Sequence, residues 1–230
     1  MFSFMNWENE GFILSKRKFR ENAIILEVFT SDFGKVNGIV YGGTSRKVKN
    51  YLQLTNKIYL NYVSKSDNRI GYFKTELIEA FAPRYFNNKN RILCLNSITS
   101  ILRILLPENQ KSKNIYNSLE NLLSHFDNKD WFLNYLYWEL NLISNLGFGF
   151  DTDKISNTNG QKNINIKIDN IDYKIPIFLI SKDNVNINSN EIYEGLLFTR
   201  KLMENKFFIP NNIKFPLSRK IFENKFLEIN

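Results

Sequence analysis

Eight basic residues fall between positions 16 and 49: Lys16, Arg17, Lys18 and Arg20, then Lys35, then Arg46, Lys47 and Lys49. Only Glu21, Glu27 and Asp32 oppose them, so eight cations against three anions leave this window at +5. Long cationic side chains at strand turns and in a loop suit one task above others, the neutralisation of successive phosphates on a polyanion. The set Arg17, Lys35, Arg46, Lys47 and Lys49 is expected to contact phosphates. Phe19, Tyr41 and Tyr51 lie among these residues and could offer faces on which bases stack. A solvated basic face over core aromatics is the competing reading.

Other chemistry finds little support. The chain has one His, His125, and one Cys, Cys94, on different predicted helices, whereas metal or hydrolytic sites need several converging ligands or acid–base groups. Cys94 reads as a small buried hydrophobe and His125 as part of a helix end. No nucleophile elbow accompanies His125. Gly42-Gly43-Thr44-Ser45 lacks both the earlier Gly and the Lys that a phosphate-binding Walker loop requires, so it reads as a structural turn. Glu8, Glu10, Glu21 and Glu27 read as surface acids. No catalytic residue, cofactor or metal is expected.

The elements that must position the basic set are short strands. Residues 11–18, 23–30, 35–42, 56–63 and 69–79 are rich in Ile, Val, Phe and Tyr, and turn signals such as Ser31-Asp32-Phe33-Gly34 and Ser66-Asp67-Asn68 separate them. Five strands in about 80 residues suit a small closed barrel, an OB-fold or an SH3-like barrel. After Pro83 the apolar period changes to between three and four. Ile92, Leu95, Ile98, Leu102 and Leu105 form one helical stripe, Ile115, Leu119, Leu122 and Phe126 a second, and Trp131, Tyr135, Trp138 and Leu142 a third that ends at Gly147 and Gly149. In residues 151–190, Ile164, Ile166 and Ile168, the Asp169-Asn170 turn, and Ile171, Tyr173 and Ile175 predict a hairpin, expected to be an inserted and weakly packed element. Helical spacing returns at Ile192, Leu196 and Leu197 and at Ile221, Phe222 and Phe226. The fold class is therefore α+β: a barrel over 1–80, then a helical domain over 81–230 interrupted at about 151–190.

Charge follows this division. Residues 1–80 hold twelve Lys and Arg against eight Asp and Glu, half of the chain's net charge of +8. A single Cys excludes an internal disulfide, no charged segment leads into a long apolar run near Met1, and no apolar run approaches the roughly 18 residues of a membrane span. A reducing cytoplasm is the expected location.

Trp7-Glu8-Asn9-Glu10-Gly11-Phe12-Ile13-Leu14, and Glu21 with Ile24-Ile25-Leu26-Glu27-Val28-Phe29-Thr30, resemble the first and second strands of the RecO family of bacterial DNA repair proteins. Gly34-Lys35, Gly38, Val40, Gly42-Gly43 and Ser45-Arg46-Lys47 are similar to the third strand and its basic loop, followed by Leu52-Gln53. Leu106-Pro107-Glu108, Trp138-Glu139-Leu140 and Leu146-Gly147-Phe148-Gly149-Phe150-Asp151 continue the likeness, which spans about residues 7–151. The resemblance implies an N-terminal OB-fold, a helical bundle and a small inserted module. It also implies binding of single- and double-stranded DNA, annealing of complementary strands, and loading of RecA alongside RecR and the single-stranded-DNA-binding protein, near the nucleoid and without catalysis. Three positions depart from the family pattern. Ile155 stands near the first Cys of a four-cysteine zinc site carried by many members, and residues 151–190 contain no Cys, so no zinc is expected. Arg20 replaces a small residue, and Tyr41 replaces a basic one. An RNA-binding or ribosome-associated OB module and an enzyme with an unrecognised site are the competing functions.

Overall fold

The computed structural model describes residues 5–65, 69–149, 162–181 and 187–227. Its chain falls into two compact units, Met1–Tyr116 with Pro216–Phe222 and Asn117–Phe215 with Glu223–Asn230.

In the first unit, strands β1 (Met5–Arg20), β2 (Ala23–Thr30), β3 (Gly34–Tyr41), β4 (Lys57–Ser64) and β5 (Gly71–Glu79) close a barrel in the order β1-β2-β3-β5-β4. Helix α1 (Arg46–Tyr51) stands between β3 and β4. This order, with a long β1 that pairs with both β2 and β4, is an OB-fold, and the SH3-like alternative falls away. Alternation builds the interior: Ile58, Leu60 and Tyr62 of β4 are buried while Lys57, Tyr59, Asn61 and Val63 are partly exposed. Leu26, Val28, Val36, Val40 and Phe73 join them inside, and Leu52, just after α1, completes the core. Closure is a parallel pairing of Gly38 with Gly71 and Ile39 with Tyr72. Both glycines make room there. A Cβ on Gly38 would lie 2.4 Å from the Phe73 ring, and one on Gly71 2.4 Å from the Tyr62 ring.

β2 is buried at every position because both of its faces are covered. Its outer residue Phe29 meets Tyr116, which also packs against Phe12. Helix α2 (Lys89–Leu105), capped by the Asn88 side chain accepting from the Arg91 amide, belongs to this unit and buries Cys94, Leu95, Ile98, Ile101 and Leu102. Residue 80 thus marks a change of apolar period, while α2 remains with the barrel.

The second unit holds most of α3 (Lys113–Ser124), then α4 (Trp131–Ile143), strands β6 (Asn163–Ile168) and β7 (Ile171–Pro176), the short α5 (Phe178–Ser181), α6 (Ser189–Met203) and the end of α7 (Leu217–Leu227). Asn188 and Glu191 form a reciprocal capping box that starts α6. Asp169 and Asn170 both have positive φ, as a two-residue hairpin turn requires. The hairpin is well anchored, contrary to the weak packing expected of it. Tyr173 and Ile175 are buried, Lys201 donates to the Asp172 carbonyl at 2.7 Å, and Lys174 pairs with Glu194 at 2.5 Å. Polarity had suggested looseness, but the polar residues point outward while β7 buries its apolar side chains.

Candidate nucleic-acid interface

Strand register sorts the basic residues. Residues directly opposite on neighbouring strands share a face, so Arg17, Ile25, Ile39 and Tyr72 form one row across β1, β2, β3 and β5. Arg20, Ala23 and Tyr41 form a shorter row beside it. Ala23, Ile25 and Ile39 make an apolar floor against which Tyr72 packs, and the Tyr41 and Tyr72 rings lie 6.3 Å apart. Tyr41 is 62% exposed and Phe19 41%, with the Arg20 guanidinium 5.2 Å from the Phe19 ring centre. Arginines beside two exposed aromatics over an apolar floor can hold a phosphate chain and stack its bases.

A second zone opens at one end of the barrel. Lys16, Arg17, Lys18, Glu21, Ile24, Gly43, Thr44, Lys49 and Leu52 line a cavity of about 420 Å3. The Lys16 ammonium donates to the Leu52 carbonyl at 2.5 Å and to Gln53 Oε1 at 3.0 Å. Burial, aided by the nearby Lys49 charge, holds its pKa below the ordinary lysine value. Arg46, Lys47 and Lys49 stand exposed on α1, whose first turn carries no acid. They occupy a helix where a loop was expected. Six residues with only Val48 and Tyr51 turned inward are too few to show a helical period, and the helix is held by Val48, Tyr51 and the following Leu52 against the barrel core. Arg17, Arg46, Lys47 and Lys49 have no ion-pair partner among the described residues.

Lys35 does not join them. It is 7% exposed, its ammonium donates to the Arg103 carbonyl at 2.5 Å and lies 3.8 Å from Glu27 Oε1, so it is an internal cation held beneath α2. Glu27, expected at the surface, is 9% exposed and accepts from Arg103 Nε at 2.7 Å and from Ser15 Oγ at 2.9 Å. Tyr51 is also structural, its hydroxyl donating to the Thr75 carbonyl at 2.8 Å. Tyr72 is the residue that sequence reasoning missed, because its place beside Ile39 depends on the parallel closure.

Glu8 accepts from Asn61, Glu10 pairs with Lys57 at 2.7 Å, and Glu21 is exposed at the cavity rim. Cys94 is fully buried, and the His125 ring meets the Asn121 carbonyl at 2.9 Å. Among the described residues no group of three His, Cys, Asp or Glu could hold a metal ion. A four-cysteine zinc site does not fit residues 151–190, which lack Cys and His; Ile155 itself lies outside the described residues, as does the Ser66-Asp67-Asn68 turn.

Residues 5–81 match the family model for "Recombination protein O N terminal", and residues 87–206 match "Recombination protein O C terminal". The chain belongs to the RecO family. The step between the two RecO matches falls at the turn Ala82–Tyr85, directly after the barrel. Relatives named "DNA repair protein RecO" include one from Ruegeria, 32% identical over 64% of this chain and 61% of its own length. One from Hyphomonas neptunium is 35% identical over 65% and 63%. The chain thus aligns with about three-fifths of each of these RecO proteins. A Wolbachia RecO is 26% identical over 94% of this chain and 98% of its own.

Proposed function

We propose that this RecO-family chain is a non-enzymatic mediator of DNA repair and homologous recombination that binds single- and double-stranded DNA and anneals complementary strands. The observation that carries the proposal is the set of cations unpaired among the described residues, Arg17 and Lys49 lining the cavity and Arg46 and Lys47 on the same short helix as Lys49, with Arg17 in one strand row with Tyr72, whose ring neighbours Tyr41. Such a surface lowers the repulsion between two phosphate chains and holds bases apart from their neighbours, which needs charge and stacking area but no covalent step. In this reading residues 1–80 hold the DNA, while 81–230 contact partners: RecR, the acidic tail of the single-stranded-DNA-binding protein, and through them RecA. The protein works in the cytoplasm at the nucleoid. Among the described residues no helix is long and apolar enough to cross a membrane.

Competition between DNA and RNA oligonucleotides of equal length and sequence tests the reading. Tighter binding of DNA is expected. An equal or greater affinity for RNA would instead make the chain an RNA-binding OB module.

A further inference from the structure

Resting on that DNA-binding reading, we infer that the cavity at the barrel mouth receives one unpaired nucleobase, so that this site selects single-stranded over double-stranded DNA. Ile24 gives it an apolar floor, with Leu52 buried behind, and its lining carries Lys16, Arg17, Lys18 and Lys49 against the single acid Glu21. An apolar floor under a cationic rim matches the two parts of a nucleotide, a flat base with low affinity for water and a phosphate that needs a counter-charge. At about 420 Å3 the cavity lies within the range of small-molecule sites, roughly 300–1,000 Å3. Bare phosphate binding would need no such recess.

The walls are tied together before any ligand arrives. The Gly42 amide donates to the Asn22 carbonyl at 2.6 Å, and Thr44 Oγ1 donates to the Glu21 carbonyl at 3.2 Å, which joins the β1–β2 turn to the turn after β3. Gly43 lies so near Ile24 that a Cβ there would come within 2.6 Å of its side chain. On the opposite wall Lys16 is fixed by two acceptors, leaving one of its three N–H groups for a base carbonyl or a phosphate. Burial, with the Lys49 charge adding to it, depresses the pKa of Lys16. A base within a duplex is stacked on both faces and cannot enter. A base in a single strand swings out at far lower cost.

The test compares three probes with equal numbers of phosphates, a thymidine oligomer, its abasic counterpart and a duplex, against the full chain and two variants that fill the cavity, Thr44→Phe and Thr44→Met, each first shown to be folded. The thymidine oligomer is expected to bind the full chain about 5- to 100-fold more tightly than the abasic chain. In either folded filling variant that advantage should shrink, with abasic affinity unchanged, whereas Tyr41→Ala, which removes a stacking face outside the cavity, should leave the cavity's share of it in place. A 2-aminopurine in the strand should brighten on binding the full chain as it leaves its stacked neighbours, a readout independent of any variant. Equal affinity for thymidine and abasic probes, or an advantage that is undiminished in the folded filling variants, overturns the base pocket while leaving phosphate binding intact. Failure to bind all three probes overturns the DNA-binding reading and the pocket together.

Discussion

Replacing Arg46 and Lys47 together with Glu is expected to weaken single-stranded DNA binding roughly 25-fold at about 0.1 M salt and to flatten the plot of log affinity against log salt by about 1.4. Each lost phosphate contact removes about 0.7 from that slope, and one decade of salt below 1 M turns two contacts into about 1.4 log units. Both side chains are exposed on α1 and unpaired among the described residues, so no structural bond is broken. Stability should shift by less than about 0.5 kcal/mol. Because phosphates carry no sequence information, the loss should be the same for every sequence. Salt titrations with two unrelated oligonucleotides check this, and a folded variant with unchanged affinity and slope would place the DNA elsewhere.

Glu27→Ala is expected to act on stability instead, lowering it by about 3 kcal/mol. Its carboxylate answers Arg103, Ser15 and the buried Lys35, and removing it leaves the Lys35 cation inside the fold without a counter-charge. The lower end of the usual 3–5 kcal/mol applies because Arg103 is half exposed and can turn to water. Glu27→Gln retains hydrogen-bonding atoms but not the charge, so it should fall between the two. Urea unfolding measures both. The folded fraction of either variant should keep the wild-type salt slope, which separates cations that hold the fold from cations that hold DNA.

Most of the architecture was legible because local patterns and packing agree. The alternation of Ile58, Leu60 and Tyr62 marked β4, the Asp169-Asn170 pair marked the β6–β7 turn, and the stripe from Leu95 through Leu102 marked α2. What stayed hidden depends on residues far apart in sequence. Lys35 and Glu27 look like surface charges until α2, carrying Arg103 some 76 positions beyond Glu27, covers them. Tyr72 joins the aromatic strip only through a parallel pairing that no turn announces. α1 is too short for a period, and the hairpin's anchorage comes from Tyr173 and Ile175 packing beneath a polar outer face. Of the five phosphate contacts expected from the sequence, the geometry supports proposing Arg17, Arg46, Lys47 and Lys49, with Lys16 and Arg20 beside them. The proposed DNA-repair function was read through family likeness, since charge alone does not distinguish DNA from RNA.

The most direct measurement is the rate at which complementary labelled oligonucleotides anneal in the presence of the full chain, with and without the cognate single-stranded-DNA-binding protein. The expected result is annealing well above the spontaneous rate in both cases, falling in the Arg46→Glu/Lys47→Glu variant in proportion to its loss of affinity. A chain that binds both strands yet leaves the rate at its spontaneous value would contradict the account, as would a folded double variant that anneals as fast as the wild type.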